Sequence, residues 1–396
     1  MLSEEIILGQ PSWVLVSDEV YAAVTEAGAH LAPVTFFRNQ VSKVLPYHIS
    51  PWQGQVNGLL EGSSDAVLRG DFFCLPFGKP EPSDGMYAHG KTAGARWSFM
   101  DSESKEGLHS LRIFMENALH LATVTRQFLL CDGENVIYDS TSISGLDGAF
   151  PLGHHAVLRT PEQSQALLVS TSTQVFGMTF PAPFAAVEKG ERQSLAIAAE
   201  FDSPKSVPSI DGNSGSIDCS AFPFRRGFGD LLQVAVEARC GQPAWTAAVN
   251  TQEGYLWFSL RDPALLPSTI FWIENCNRHS FPWNGRNCSL GLEDVCSYFD
   301  FGVSASRAPN VFSRRGIKTV QKFDRDQTFQ LQYIQGAIRV PQGFRHVQDV
   351  RCDDGSATFV DVNGITATAA VQAGFVFGDH LKRRSKSIGL VPIVTR

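Results

Sequence analysis

The alternation of apolar and polar positions along this chain is mostly that of strands. Residues Arg126 to Thr141 read RQFLLCDGENVIYDST, two apolar runs on either side of Asp132-Gly133. An Asp-Gly pair between such runs predicts a hairpin, because the tight turn needs a residue that accepts positive φ. Residues Gly355 to Gly378, GSATFVDVNGITATAAVQAGFVFG, repeat the pattern around Asn363-Gly364. LLQVAVEA from Leu231, EGYLWFSLRD from Glu253 and STIFWIEN from Ser268 are further runs rich in β-branched and aromatic residues. Helical spacing occurs in two places. SDEVYAAVTEAGAHLA, Ser17 to Ala32, predicts a helix capped by Ser17, and SRRGIKTVQKF from Ser313 predicts a shorter one. There is no strand–helix alternation, no fixed-period repeat and no low-complexity tract. Phe201 to Asp218, FDSPKSVPSIDGNSGSID, reads as a long surface loop rather than a linker between domains. The expectation is an all-β fold: one large antiparallel sandwich over residues 1–380, followed by a basic tail, 381–396.

Composition narrows the picture further. At 396 residues the length alone suggests two or three domains, but a single large β domain also fits. The 28 Phe, 34 Gly and 21 Pro suit many short strands joined by tight turns. A net charge of −7 argues against a nucleic-acid partner met through a broad basic face. The one basic cluster, KRRSK from Lys382 to Lys386, reads as a solvated tail. The opening MLSEEIILGQ has acids where a leader would carry lysines. No stretch approaches the roughly 20 apolar residues of a membrane span. A cytoplasmic protein with no membrane partner is expected. Eight scattered cysteines predict reduced, mostly buried thiols. Cys276, His279, Cys288 and Cys296 are of metal-ligand type, but their spacing is not that of a paired zinc site; they read as core, and no metal is expected.

One motif demands a decision. GMYAHGKT, Gly85 to Thr92, fits the phosphate-binding loop G-x-x-x-x-G-K-[ST] letter for letter. That loop works because a buried strand leads into it and a helix N-terminus follows it, supplying amide donors to phosphate. Here GKPEPSD precedes it, with two prolines. The residues after it alternate, Ala93, Ala95, Trp97 and Phe99 against Gly94, Arg96 and Ser98, which predicts a strand. Nucleotide hydrolysis is set aside.

A wider window carries more. VLRGDFFCLPFGKPEPSDGMYAHGKTAGARW, Val67 to Trp97, resembles the signature of the galactose mutarotase-like superfamily, which includes aldose 1-epimerases and hexose-6-phosphate mutarotases. Arg69-Gly70, Phe77-Gly78, His89-Gly90 and Trp97 carry the likeness. GAFPLGHHAVLR, Gly148 to Arg159, resembles the segment holding a second histidine. NRHSFPWNGRNCSLGLEDV, Asn277 to Val295, resembles the segment holding a glutamate. The resemblance implies a β-supersandwich of two large antiparallel sheets with a sugar bound on one face, and no cofactor.

It also implies roles. Exchanging sugar anomers requires a base for the anomeric hydroxyl and an acid for the ring oxygen, which a carboxylate and a histidine can supply. Glu293 is expected as the base and His155 as the acid, with His154 its rival next door. His89 is expected to bind and polarise the substrate and Arg69 to anchor it. Trp283, Asn284, Arg286 and Trp97 are expected to contact the sugar; Trp52 and Phe72 are further rings able to stack on it, though each reads first as core. Hexose-6-phosphate mutarotases read His-Gly-Phe-Ala-Arg where this chain reads His89-Gly90-Lys91-Thr92-Ala93, so the phosphate-gripping guanidinium is missing. A non-phosphorylated or differently decorated monosaccharide is favoured, with the protein a monomer or homodimer. The leading expectation is an isomerase of the aldose 1-epimerase kind. A non-catalytic sugar-binding or sugar-sensing protein stays open, as does a glycosidase, lyase or other isomerase. A glycosidase would pair Glu293 with Asp71, Asp262, Glu274 or Asp294.

Overall fold

The computed structural model describes residues 4–55, 61–81, 85–210 and 215–382. Two antiparallel sheets dominate it. The nine-stranded sheet runs, in spatial order, Ala221–Phe222, Leu167–Thr171, Ala244–Asn250, Tyr255–Arg261, Phe329–Arg339, Val136–Ser144, Thr123–Cys131, Leu108–Met115 and Ser98–Lys105. The seven-stranded sheet runs Glu200–Phe201, Gln174–Thr179, Phe228–Val236, Ser268–Asn275, Cys288–Cys296, Leu152–Arg159 and Phe73–Cys74. Leu111, Ile113, Val124, Phe128, Leu232, Val234, Leu290 and Leu292 fill the main core. The fold is therefore the all-β sandwich expected.

Both predicted hairpins form. Thr123–Cys131 pairs with Val136–Ser144 around Asp132-Gly133, and Ser356–Asp361 pairs with Thr366–Ala370 around Asn363-Gly364. The second hairpin and Val347–Asp353 make a three-stranded sheet. It closes a separate apolar cluster with Tyr138, Phe258, Ile334, Phe359 and Phe375 against the other face of the nine-stranded sheet. That explains why every residue of Tyr255–Arg261 is buried: the strand has neighbours on both sides.

The helix predicted over Ser17 to Ala32 is absent. Tyr21–Thr25 and Leu31–Thr35 are strands of a four-stranded N-terminal sheet. Ser17 closes a turn instead of capping a helix, its Oγ accepting from the Val20 amide at 3.0 Å. The ladder to Gln10–Val16 supplies the hydrogen bonds that a helix would have made, and tertiary pairing overrides local spacing. The second predicted helix shrinks to one 3₁₀ turn, Ser313–Arg315, with a strand at Gln321–Phe323. The phosphate-loop match ends in a 3₁₀ turn, Lys91–Ala93, and the strand that follows starts at Ser98 rather than at Ala93. The loop from Phe201 contains a small hairpin, Val207–Pro208 against Ser216–Ile217. Most of the basic tail, from residue 383 on, lies outside the described residues. No helix among the described residues is long and apolar enough to cross a membrane.

Candidate functional site

Two neighbouring strands of the seven-stranded sheet set the geometry. Leu152–Arg159 and Cys288–Cys296 pair in a register that places His154 opposite Asp294 and His155 opposite Glu293. Successive side chains in a strand point to opposite faces. The first pair therefore faces the nine-stranded sheet and the second faces away from it.

The inward pair is fully buried and paired. His154 Nδ1 lies 2.9 Å from Asp71 Oδ2, and its ring stacks on Tyr333 at 4.0 Å. Asp294 is bound by Arg261 Nη1 at 2.7 Å and accepts from Thr246, Thr269, Ser259 and the Tyr333 hydroxyl. Asp71, Asp139 and His154 offer metal-ligand atoms within 4.8 Å of one another. Arg126, ion-paired with Asp139 and 3.8 Å from Asp71, supplies positive charge there, so this cluster is a buried ionic joint between sheets, with Asp71 Oδ1, Arg126 Nε and His154 Nε2 lacking hydrogen-bond partners among the described residues.

The outward pair is different. His155 Nε2 and Glu293 Oε1 are 3.1 Å apart and nearly sealed from solvent. Burial raises the Glu293 carboxyl well above its usual range, helped by the charge of Asp300 and opposed by Arg278. Burial also lowers His155 well below the ordinary histidine value, with His89 adding to the effect. Burial thus drives both groups toward neutrality. His155 Nδ1 has no hydrogen-bond partner among the described residues. Gly291, two residues before Glu293, leaves room for this arrangement: a Cβ there would sit 2.9 Å from Glu293 Oε1.

Aromatic rings surround the pair. Phe72 is stacked between His155 at 4.5 Å and His30 at 4.1 Å. His89 meets His155 edge-on at 5.1 Å. Its backbone takes a positive φ of 66°, held by its amide donating to the Gly78 carbonyl at 2.7 Å. Burial lowers the His89 pKa to about 4, with Arg278 contributing. Trp272 lies 5.6 Å from His155 and Trp283 meets Trp272 at 5.8 Å. Trp52 in turn meets Trp283 at 4.6 Å. The Arg278 guanidinium sits over both Trp272 and Trp283, at 5.4 and 4.7 Å from their centroids.

His89, His155, Glu293 and Trp283 therefore come together, with Phe72 and Trp52 packed against them. The other expected residues take different places. His154 is on the opposite face of its strand, which is a consequence of period two. Arg69 is buried and donates to the carbonyls of Ile7 and Leu8, at 3.1 and 2.9 Å, and to the Gln53 side chain, tying down the N-terminal strand. Trp97 belongs to the main core and donates to the Thr92 carbonyl at 3.0 Å. Arg286 donates to Gln55 at 2.7 Å, and exposed Asn284 forms the turn beside Trp283 with φ 50°. Trp272, Arg278 and Asp300 escaped the sequence reading. Trp272 lies in a run read only as a strand, and Arg278 and Asp300 match no motif position. The thiols also depart from expectation: Cys276 and Cys288 form a disulfide, because antiparallel pairing sets Asn275 opposite Cys288 and brings the loop's two ends together. The other six cysteines are not disulfide-bonded.

This geometry can be set beside known proteins. No protein-family model matches the chain, and no curated protein matches it. Solved structures do. A galactose mutarotase-like protein from Clostridium acetobutylicum superposes with a TM-score of 0.55 at 10% identity, covering 85% of this chain and 98% of that one. The fold is the galactose mutarotase-like fold. A galactose mutarotase related enzyme from Lactobacillus acidophilus gives 0.53 at 12% identity, over 83% and 97% of the two chains. A candidate aldose 1-epimerase from Escherichia coli K12 gives 0.55 at 12% identity, over 84% and 100%. At these identities the likeness concerns the mutarotase-like sandwich, and chemistry has to be argued from side chains.

Proposed function

We propose that this protein interconverts the anomers of a monosaccharide, as an isomerase of the aldose 1-epimerase kind. The observation that carries the reading is the His155–Glu293 contact at 3.1 Å, walled by aromatic rings on the outer face of a mutarotase-like sheet. With Glu293 protonated, transfer of its proton to His155 creates a carboxylate base and an imidazolium acid together. The carboxylate takes the proton of the anomeric hydroxyl while the imidazolium protonates the ring oxygen. The ring C–O bond opens, an aldehyde forms, and rotation about C1–C2 presents its other face. Reversal of the two proton transfers closes the opposite anomer, so atoms and charge balance. His89, uncharged near neutrality, is placed to hydrogen-bond the sugar beside the acid. Trp283 and Trp272 wall this side of the pair beneath the Arg278 guanidinium, which would have to move aside for a pyranose to stack on them.

Anomer exchange followed by NMR across a panel of free sugars tests this. Wild type should accelerate exchange of at least one sugar, and Glu293→Gln should lower the rate by about 10²–10⁴-fold, the usual contribution of a general acid–base group. Saturable binding without exchange would make the protein a sugar binder instead, and release of a smaller product from a glycoside would make it a hydrolase.

A further inference from the structure

The loop Asn277 to Asn287 carries Arg278 and Trp283 to the site, and the Cys276–Cys288 disulfide closes it at the base. The two sulfurs are not equivalent. Cys276 is buried, 5% exposed, whereas Cys288 is partly open to solvent. Arg226, itself exposed, directs Nη1 at the Cys288 sulfur from 3.8 Å. Strand register concentrates more charge nearby. Phe228, Asn275 and Cys288 are cross-strand neighbours on three adjacent strands, and Arg192 and Arg225 both lie over the Phe228 ring. The accessible sulfur of the pair therefore lies at a cationic strand end, on a loop that also shapes the sugar platform.

We infer that Cys288 is a thiol-exchange site for small anionic thiols, and that opening its bond to Cys276 releases the Arg278–Trp283 side of the platform. An incoming thiolate attacks Cys288 Sγ, forming a mixed disulfide, and Cys276 leaves as a thiolate that takes a proton from water. A second thiolate attacks the incoming sulfur, so Cys288 leaves as a thiolate beside Arg226. Two thiols of the reductant become one disulfide, and the protein gains two electrons and two protons. Guanidinium groups favour this course by drawing in the anion and stabilising the departing Cys288 thiolate. In the open form the loop keeps hydrogen bonds at its feet, such as His48 to Asn287 at 2.8 Å and the Arg192 amide to Asn277 at 2.7 Å, but loses its covalent closure. The indoles beneath Arg278 report the change directly.

The test uses the whole protein with its accessible thiols, Cys240 and Cys352 among them, first capped by iodoacetamide without reductant. Reduced glutathione is then added, the reaction is quenched with acid, and peptides are mapped by mass. Glutathione is expected on Cys288, with Cys276 free. Arg226→Met should slow adduct formation several-fold, and added salt should slow wild type likewise. Tryptophan emission should change in step with the adduct. An adduct on Cys276, a bond that resists glutathione until urea unfolds the chain, or an adduct that leaves emission unchanged overturns the inference. The expected fall in sugar affinity rests on the function proposed above. Should neither redox form bind sugar, that function fails while the mapping and emission readouts still decide the exchange site.

Discussion

Single buried and half-buried residues make this protein sensitive to pH in two opposite directions. His30, His48 and His89 have pKa values lowered to about 3, 4 and 4, with burial the largest cause for each. His30 is the most enclosed: its Nε2 is 2.8 Å from the Ala93 carbonyl, and its Nδ1 lies 3.1 Å from the Arg69 carbonyl and 3.3 Å from the Arg69 amide. Such groups stabilise the fold above the ordinary histidine value near 6.5, and that stability is lost as pH falls toward their folded values. Glu293 works the other way. Its carboxyl is raised, so its contribution is complete below the ordinary glutamate value and is lost as pH climbs through the folded one. Urea unfolding at pH 7 and pH 5 should show a clear loss on the acid side. His48→Gln should remove roughly 2 kcal/mol of that difference, the linkage expected of one histidine kept neutral across this interval. Equal pH dependence in wild type and variant would contradict the assignment. At this scale the sequence was informative about identity but not about surroundings. His89 and Glu293 were assigned roles from recognisable motifs, while Arg278, though inside the segment from Asn277 to Val295, and Asp300, whose charges bear on Glu293, were not, because through-space fields leave no local pattern.

At the level of the strand, adjacent residues divide the labour. His154 and Asp294 join the sheets, and His155 and Glu293 face outward from the same two strands. Asp294→Asn should leave Arg261 buried without its charge partner and cost about 3–5 kcal/mol in urea denaturation. His155→Gln should leave the denaturation midpoint near wild type and abolish anomer exchange. A reversal of these phenotypes would mean that the register is wrong by one residue. Period two along a strand means that only one of the two adjacent histidines points outward. Choosing between them required the pairing with Glu293, a long-range property. Hairpins were legible for the converse reason: Asp132-Gly133 and Asn363-Gly364 encode their turns within a few residues. The helix expected from Ser17 failed because its strands are made by partners elsewhere in the chain. The disulfide was invisible for the same reason, since twelve residues of spacing do not reveal that two strand ends meet.

For the molecule as a whole, the nine-stranded sheet is an inner layer, with the seven-stranded sheet on one side and the C-terminal three-stranded sheet on the other. Phe359 from the C-terminal sheet meets Phe258 at 4.9 Å, with Ala357 and Ala369 beside it in the same buried cluster. Phe359→Ala should cost about 3–5 kcal/mol, as for other buried phenylalanines. Any anomer exchange should persist at temperatures where the variant stays folded, because the layer lies on the far side from Glu293. Loss of exchange in a folded variant would show that the outer layer acts on the site. The ionic joint of Asp71, Arg126, Asp139 and His154, with Asp294 and Arg261 beside it, has a broader consequence. Sheets locked together by buried charge cannot slide to accommodate a new ligand, since any slippage would strand ions in an apolar interior. A change of preferred sugar would therefore have to be written into the covering segments around His89, Arg278 and Trp283, over a foundation that natural variation has little freedom to redraw.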